Sequence, residues 1–267
     1  MAEVGLPGGN TTGAVLIDGV IHKRASPWTP TVHALLRYLE EAGFRGAPRA
    51  LGFDSSGREM LSYLPGETIG DRDPWPAWAS ADSMLVQVGQ WLRRLHDLTA
   101  DFRPPADERW FIGGVMRPGL IVGHQDAAPY NAVVDGERLV GFCDWDIAGP
   151  SSREWDLAFS MLPWVPLASP SAGPSDAPGR SAAAGASGPD AGERSRRFHL
   201  LLDAYGFEGD REVFGSVVPQ RARRGAGVIR RMAAAGDPAC AALLPIADLL
   251  ESSAVDVEAL PRDFWLR

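Results

Sequence analysis

The sequence predicts an α+β fold with two lobes, a small β-rich N-terminal lobe that carries one helix and a larger, mainly helical C-terminal lobe. Short extended segments separated by glycine turns occupy the first part of the chain, whereas apolar residues at helical spacing dominate after Pro65 and Gly66. Of the 267 residues, 45% are hydrophobic and 22% are charged, a composition typical of a globular protein with a substantial core. We therefore divide the chain into residues 1–65 and 66–267.

The predicted N-terminal lobe consists of two strand pairs and one helix. Its strands are expected at residues 14–17, 20–23, 50–53 and 59–64. Asp18 and Gly19 form the kind of two-residue turn that joins antiparallel strands. Apolar residues at helical spacing over residues 29–42, followed by Gly43, predict the helix and its end.

The predicted C-terminal lobe contains helices, one hairpin and one segment without a core-forming pattern. Its helices are expected over residues 83–98, 193–205 and 240–253, with Pro245 kinking or dividing the last. Asp135 and Gly136 mark the turn of a hairpin between residues 132–134 and 139–142. Residues 168–192 are almost wholly Ala, Ser, Pro, Gly and Asp, which bury too little apolar surface to offset chain ordering. We expect a flexible surface insertion there.

Charge and composition argue against several classes of protein. With 34 acidic and 26 basic residues the formal net charge is −8, which disfavours a nucleic-acid or anionic-membrane surface. An acidic protein suits a cationic ligand, although solubility alone accounts for such a charge equally well. Cys143 and Cys240 are too few for a disulfide framework and lack C-x-x-C spacing. No leader-like start and no run of about 18 apolar residues occurs, so we expect a cytoplasmic chain without a membrane span.

One loop carries residues with the chemistry of phosphoryl transfer. Residues 123–131 are Gly-His-Gln-Asp-Ala-Ala-Pro-Tyr-Asn, and Asp144 follows at the far end of the predicted hairpin. Transfer to an alcohol needs a carboxylate to accept the hydroxyl proton, oxygen ligands for Mg²⁺ and positive groups on the phosphates. Asp126 supplies the first, and the oxygen atoms of Asn131 and Asp144 suit a hard cation. Each residue alone is a common turn residue, but their joint spacing favours a functional site.

The spacing His124-x-Asp126-x-x-x-x-Asn131, followed by Asp144, resembles the catalytic loop and metal-binding Asp of the protein-kinase superfamily. The residues around it, with Trp-Asp-Leu-Ala at 155–158, are similar to the aminoglycoside phosphotransferase and choline-kinase-like branch. The resemblance extends from about residue 6 to residue 167 and implies a bilobal protein-kinase-like fold.

The resemblance implies a role for each residue of the motif. Asp126 is the expected catalytic base, and Asn131 and Asp144 are the expected Mg²⁺ ligands. His124 is expected to hold the backbone of the loop. Asp156 resembles a structural Asp that braces the same loop, and a Gly is usual in the family where this chain has Gln between His124 and Asp126.

The resemblance also implies an ATP site. Residues 6–13, which include Gly9, Asn10, Thr11 and Thr12, resemble the loop that covers the phosphates, where backbone N–H groups and small polar side chains approach phosphate oxygens. A plain glycine-rich turn is the alternative. The segment lacks the Lys and Ser/Thr of a Walker A loop.

Lys23 stands on the return strand, at the position of the family's phosphate-contacting lysine. An exposed strand lysine is the alternative. Strand alternation turns His22 and Arg24 to the other face. The carboxylate partner expected near the start of the following helix has no match, because Thr31-Val32-His33 stands there and the two glutamates of that helix come late. Either another carboxylate holds Lys23, or the lysine is placed more loosely than is usual in the family.

The segment of residues 60–66 and two single residues, Asp146 and His96, also have predicted roles. Residues 60–66 resemble the hinge between lobes, where the backbone at Ser62 and Leu64 would bind the adenine, and a buried edge strand is an equal alternative. Asp146 is equally compatible with a second metal contact and with a solvated turn. His96 lies beside an apolar helix face and is expected in the core.

These features predict an ATP- and Mg²⁺-dependent O-phosphotransferase that acts on a hydroxyl of a small, cationic or polyhydroxylated molecule, with an aminoglycoside-type antibiotic as the first candidate. A catalytically weak kinase-like binding, immunity or regulatory protein is the alternative, as is a kinase of a metabolic amino alcohol or sugar. The absence of G-x-S-x-G and H-E-x-x-H motifs argues against a hydrolase. Whether the protein is a monomer or a dimer is left open.

Acidic residues near the C-terminus that could meet an amine-rich substrate are Asp203, Asp210, Glu212, Asp248 and Glu251.

Overall fold

A computed structural model of the chain describes residues 13–70, 72, 74–167 and 190–266, together with the backbone of residues 4 and 5. The predicted phosphate-loop residues Gly9, Asn10, Thr11 and Thr12 lie outside the described residues, as do residues 168–189 of the predicted insertion. No helix within the described ranges is both long and apolar enough to cross a lipid bilayer.

The chain divides into two compact units. One comprises residues 1–71 and 91–153, and the other comprises residues 72–90 and 154–267. The lobe boundary near Pro65 stays a prediction.

Five short antiparallel strands form the sheet of the first unit. They are β1 (Val4–Gly5), β2 (Val15–Ile17), β3 (Val20–Lys23), β4 (Ala50–Phe53) and β5 (Glu59–Ser62), in the spatial order β1-β2-β3-β5-β4. Both predicted strand pairs are confirmed. Asp18 and Gly19 have φ values of 49° and 81°, the positive values that a two-residue turn of this type requires. Lys23 lies directly opposite Glu59 in the β3–β5 pair, so the two side chains point to the same face.

Helix α1 (Thr29–Glu41) confirms the predicted helix almost residue for residue. A proline in its first turn is pre-set for helical geometry. Leu35, Leu36 and Leu39 on its inner face are fully buried. The helix ends where Gly43 takes a φ of 72°, a left-handed conformation that glycine adopts without a steric cost.

Two further strand pairs in the first unit position the loop that carries Asp126 and the segment that carries Asp144. Their strands are β6 (Ile121–Gly123), β7 (Ala132–Asp135), β8 (Arg138–Phe142) and β9 (Gly149–Ser151), with β6 paired to β9 and β7 to β8. The predicted hairpin is therefore confirmed as β7–β8. The chain passes from β6 through Asp126 to β7, and Asp144 follows β8, so the hairpin joins these two acidic residues.

Helix α2 (Asp82–Thr99) contributes its second half to the first unit, where His96 is fully buried as predicted. In this unit the carbonyl of Gly46, which lies between α1 and β4, accepts hydrogen bonds from Trp91 Nε1 at 3.1 Å and from Phe142 N at 3.2 Å. A Cβ on Gly46 would lie 2.1 Å from Trp91 Nε1, and a Cβ on Gly141 would lie 2.3 Å from the Gly46 oxygen. The α1–β4 connection and the β7–β8 hairpin thus approach each other at a distance that only glycine permits.

The second unit is mainly helical in its described residues. Its helices are α3 (Arg153–Trp164), α4 (Ala191–Tyr205), α5 (Arg211–Ala234), α6 (Pro238–Ala242) and α7 (Leu244–Glu258). The Asp190 side chain accepts the backbone N–H of Glu193 at 2.7 Å and caps α4, so residues 190–192 belong to a capped helix and not to the predicted insertion. The predicted division of the C-terminal helix is confirmed, with Pro245 in the first turn of α7.

Candidate active site

The backbone of the loop that carries Asp126 is held by a buried histidine. His124 Nδ1 accepts the backbone N–H of Asp126 at 3.3 Å, and its Nε2 donates to the carbonyl of Cys143 at 3.1 Å. The ring is fully buried and packs edge-on against Trp145, with centroids 4.7 Å apart. His124 therefore has the backbone-holding role that the resemblance implies.

Gln125 has a φ of 63°, a left-handed conformation that costs a non-glycine residue roughly 1–2 kcal/mol. The same constraint explains why glycine is usual at this position in the family that the loop resembles. The structure therefore holds a locally strained backbone directly before Asp126.

Asp126 is partly buried, and both of its carboxylate oxygens accept hydrogen bonds from neutral groups. Asn131 Nδ2 donates to Oδ2 at 2.8 Å and to the Asp126 carbonyl at 3.0 Å, and the Tyr130 hydroxyl donates to Oδ1 at 2.7 Å. The Tyr130 side chain is 46% exposed. Tyr130 was not among the residues predicted for the site, although it stands immediately before Asn131 in the sequence.

Asn131 and Asp144 provide the oxygen atoms expected for Mg²⁺. Because the Asn131 amide nitrogen donates to Asp126, the amide oxygen is turned away from that carboxylate. The Asn131 carbonyl accepts the backbone N–H of Cys143 at 2.9 Å, which places Asp144 close by. Asp144 is half-exposed and has a φ of 57°. Mg²⁺ usually takes one or two protein carboxylates and completes its shell with water and phosphate, so an amide and a carboxylate fit this ion.

Within the described ranges, no group of three or more His, Cys, Asp or Glu side chains is arranged to hold a metal ion on its own. Asn131 and Asp144 as metal ligands stay a prediction.

Lys23 is a buried cation surrounded by carboxylates. Its Nζ lies 2.8 Å from Asp146 Oδ1, 3.5 Å from Glu59 Oε1 and 3.9 Å from Asp144 Oδ1, and its side chain is 7% exposed. Burial alone would lower the pKa of Lys23, but the negative charges of the three carboxylates outweigh burial and hold the pKa well above its ordinary value. The alternative of an exposed strand lysine is therefore wrong.

Carboxylates outside α1 hold Lys23, which confirms the first of the two alternatives. They are Asp146, which follows β8, and Glu59 on β5. Glu40 of α1 instead pairs with Arg49 on the surface. The contact between Asp146 and Lys23 excludes the alternative that Asp146 is a solvated turn residue. A metal contact at Asp146 stays a prediction. The sequence places Glu59 at the start of a predicted strand but does not indicate that this strand pairs with the strand of Lys23.

The segment expected to bind adenine continues from β5. The hydroxyl of Ser62 accepts the backbone N–H of Arg49 at 2.8 Å, and the Ser62 N–H donates to the Arg49 carbonyl at 3.0 Å. β5 lies between β3 and β4, so the edge-strand alternative is wrong. Adenine contacts at Ser62 and Leu64 stay a prediction. As strand alternation predicts, His22 points away from Lys23 and bonds Asp54 Oδ2 at 3.0 Å.

Cys143 lies between the two proposed metal ligands along the chain. Its thiol donates to the Asn131 carbonyl at 3.3 Å. Burial, with a smaller contribution from the Asp144 charge, raises the pKa of Cys143 to about 12. The thiol is therefore neutral and takes no ionic part in the site.

The five acidic residues proposed to meet an amine-rich substrate are already engaged within the second unit. Asp203, Glu212, Asp248 and Glu251 form ion pairs with Arg211, Arg262, Arg230 and Arg223 respectively, and Asp210 caps α5 by accepting the N–H of Val213. In the described structure they contact groups of this unit, and a role for them in substrate binding stays a prediction.

Comparison with known proteins gives one curated relative and a group of solved structures. No protein-family profile matches the chain. A trifolitoxin immunity protein of Rhizobium leguminosarum bv. trifolii is 39% identical over 161 residues, a match that covers 58% of this chain and 59% of that protein. The chain thus spans about three fifths of the length of this relative.

The similar solved structures are kinases and phosphotransferases. A choline/ethanolamine kinase family protein from Mesorhizobium loti has a TM-score of 0.60 at 16% identity, covering 99% of this chain and 91% of that chain. An amicoumacin kinase in complex with AMP-PNP and Ca²⁺ has a TM-score of 0.62 at 12% identity, with coverages of 98% and 91%. A spectinomycin phosphotransferase in complex with ADP and its antibiotic has a TM-score of 0.57 at 10% identity, with coverages of 98% and 93%. These likenesses confirm the predicted α+β, protein-kinase-like fold.

Proposed function

We propose that the protein is an ATP- and Mg²⁺-dependent O-phosphotransferase that moves the γ-phosphate of ATP to a hydroxyl group of a small molecule in the cytoplasm. One observation carries the proposal. A single compact unit brings together a buried cation, Lys23, a half-exposed carboxylate, Asp144, and a hydrogen-bonded carboxylate, Asp126. Phosphoryl transfer needs this combination, whereas a module that only binds nucleotide has no need of a positioned base.

In this proposal each group has one task. Asp126 orients the acceptor hydroxyl and takes its proton, Asn131 and Asp144 hold Mg²⁺ through oxygen atoms, and Lys23 contacts the α- and β-phosphates. When bound, Mg²⁺ neutralises charge on the phosphates. The loop around Gly9, Asn10, Thr11 and Thr12 and the segment from Ser62 to Leu64 complete the nucleotide site.

The acceptor is proposed as a small polyhydroxylated or cationic molecule, with an aminoglycoside-type antibiotic as the first candidate. Similar structures in complex with gentamicin and with spectinomycin support this class. A metabolic amino alcohol or sugar is the second candidate. A cationic acceptor that binds Glu212, Asp248 or Glu251 would compete with their exposed ion pairs to arginine, which cost little to break.

The curated relative favours a second function, immunity to a toxin. Immunity is compatible with both chemical alternatives, since the protein could phosphorylate a toxin or could simply bind it. The intact set of Asp126, Asn131 and Asp144 supports the first of these.

The test of the proposed function is an ADP-release screen of the purified chain with ATP and Mg²⁺. The panel contains aminoglycosides, macrolides, amino alcohols, sugars and trifolitoxin, and mass spectrometry identifies any product that carries an added phosphoryl group. We expect release that requires one acceptor class and Mg²⁺ and that is lost in Asp126→Asn. ATP binding without acceptor-dependent release across the whole panel would favour a binding protein.

Expression in a toxin-sensitive strain separates the two forms of immunity. Protection by the wild-type chain but not by Asp126→Asn would indicate phosphorylation of the toxin. Equal protection by both would indicate binding alone.

A further inference from the structure

Glu59 and His33 form a buried pair on the face of the sheet that carries Lys23. The Glu59 side chain is 2% exposed and the His33 side chain is 1% exposed, and His33 Nε2 lies 3.1 Å from Glu59 Oε2. The other oxygen of Glu59, Oε1, lies 3.5 Å from Lys23 Nζ and has no hydrogen-bond partner in the described part of the chain. Each oxygen of this carboxylate therefore faces one neighbour.

The strand register explains why these groups meet. Lys23 on β3, Glu59 on β5 and Phe53 on β4 lie opposite one another across three neighbouring strands. The His33 ring from α1 stacks on Phe53, with ring centroids 5.0 Å apart and planes inclined by 27°. Stacking fixes the imidazole in the position from which it reaches Glu59.

A buried carboxylate is costly unless opposite charge or hydrogen bonds compensate it. His33 compensates Glu59 through Nε2, which lies 3.1 Å from Glu59 Oε2. Its Nδ1 is buried and lacks a hydrogen-bond partner among the described residues, so Nε2 is the ring nitrogen that engages the carboxylate.

The two closest carboxylates of Lys23 differ in their freedom to move. Asp146 lies beyond the end of β8 and its side chain is 18% exposed, whereas Glu59 stands within a paired strand and is fully buried. A phosphate that approaches Lys23 can replace Asp146 at its 2.8 Å contact without disturbing the sheet. It cannot replace Glu59 in this way.

We propose that Glu59 is a positioning residue that holds Lys23 towards the nucleotide phosphates, and that His33 holds Glu59 from helix α1. The inference rests on the proposed ATP site. In the free protein Lys23 is shared between Asp146 and Glu59, and in the nucleotide complex Glu59 remains its fixed countercharge while the phosphates take the place of Asp146.

The test compares three variants of the full chain, Glu59→Gln, His33→Leu and His33→Gln. Isothermal titration in EDTA measures the affinities for ATP and for adenosine, and steady-state kinetics with Mg²⁺ measures KM for ATP and kcat. Thermal unfolding of each variant identifies those that are merely misfolded.

Glu59→Gln should weaken ATP binding and raise KM for ATP by about tenfold, since it removes one charged contact from Lys23. His33→Leu should weaken ATP binding about two- to fivefold, and His33→Gln should restore it, because Gln keeps an N–H donor near the position of Nε2. Adenosine affinity should be unchanged in all three, because adenosine has no phosphate for Lys23 to contact. A purely structural role would weaken ATP and adenosine equally.

Wild-type ATP affinity in a folded Glu59→Gln chain, or equal losses of affinity for ATP and for adenosine, would overturn this inference and leave the proposed function standing. If Glu59→Gln does not fold, the comparison of His33→Leu with His33→Gln decides, and equal ATP affinity in these two would also overturn it. If the wild-type chain binds no adenine nucleotide, the proposed function fails and the inference fails with it.

Discussion

The two ends of the candidate site hold their charged groups in opposite ways. At the proposed nucleotide end, Lys23 is a buried cation with three carboxylates within 3.9 Å of its Nζ. At the proposed acceptor end, Asp126 is a partly buried carboxylate whose oxygens accept hydrogen bonds from the neutral groups of Tyr130 and Asn131. One end is balanced by charge, and the other by neutral hydrogen bonds.

This difference indicates how each end can respond to a ligand. Lys23 is buried beside the fixed charge of Glu59 and is costly to move or to neutralise, so the position of this cation is preorganised. A hydrogen-bonded carboxylate at the surface can release one neutral donor and accept a substrate hydroxyl in its place. The acceptor end is therefore the adaptable one, and four substitutions or modifications test the contrast.

The largest effect is expected for Asp126→Asn. Loss of the general base should lower kcat on the order of 10²–10⁴-fold, because proton transfer from the acceptor hydroxyl loses its acceptor. ATP affinity and thermal stability should stay close to wild type, since the Lys23 cluster is untouched. Asp135→Asn, at an exposed hairpin position, is the matched control and should leave kcat unchanged. Unchanged turnover in Asp126→Asn would remove Asp126 from the chemistry.

Lys23→Met should affect binding and stability together. Loss of a charge-assisted contact should raise KM for ATP about 10- to 100-fold, equivalent to roughly 1.5–3 kcal/mol. The thermal unfolding temperature should also fall, because three carboxylates lose their shared cation. Steady-state kinetics and a thermal melt measure the two effects. An unchanged melting temperature would contradict the charge-balanced description of this end.

Tyr130→Phe should have a moderate effect that is confined to the acceptor. Removal of one hydrogen bond to Asp126 should change kcat/KM for the acceptor about two- to tenfold and leave KM for ATP as it was. Initial-rate measurements with each substrate varied in turn give both quantities. Equal changes in kcat/KM for the acceptor and in KM for ATP would show that Tyr130 supports the whole site and not only its proposed acceptor end.

The last prediction concerns the reactivity of the Cys143 thiol, which should be low in the folded protein. Because burial raises the pKa of its thiol to about 12, almost no thiolate is present at pH 8, and iodoacetamide should modify Cys143 at least about 10²-fold more slowly in the folded protein than in the denatured chain. Reaction should accelerate as the pH rises towards that pKa. Mass spectrometry of a Cys240→Ser variant isolates the reaction, and rapid labelling at pH 8 would contradict the assignment.

Local sequence patterns predicted the elements that depend on nearest neighbours along the chain. The α1 helix, the β2–β3 and β7–β8 hairpins and the break before α7 each follow from apolar spacing and turn residues a few positions apart. The spacing from Asp126 to Asn131 belongs to the same group, because one short loop fixes it. The positions at the start of the chain, Gly9 to Thr12, stay a prediction.

The partner of Lys23 could not be predicted in the same way. Glu59 meets Lys23 only because β5 is placed between β3 and β4, and strand order is a property of the whole sheet. The ion pairs of the C-terminal acidic residues have the same origin, since Glu251 and Arg223 are brought together by the packing of α5 and α7. Register and helix packing are long-range outcomes that side-chain spacing alone does not encode.

The close approach at Gly46 has a mechanical consequence for the enzyme proposed. Its carbonyl ties the connection that follows α1 to the end of β8, from which the chain continues to Asp144. The distance between the lysine of the sheet and the acidic residues of the hairpin is thereby set by backbone atoms. Sequence change elsewhere in the chain can therefore accumulate while the spacing between Lys23 and the hairpin carboxylates is inherited unchanged.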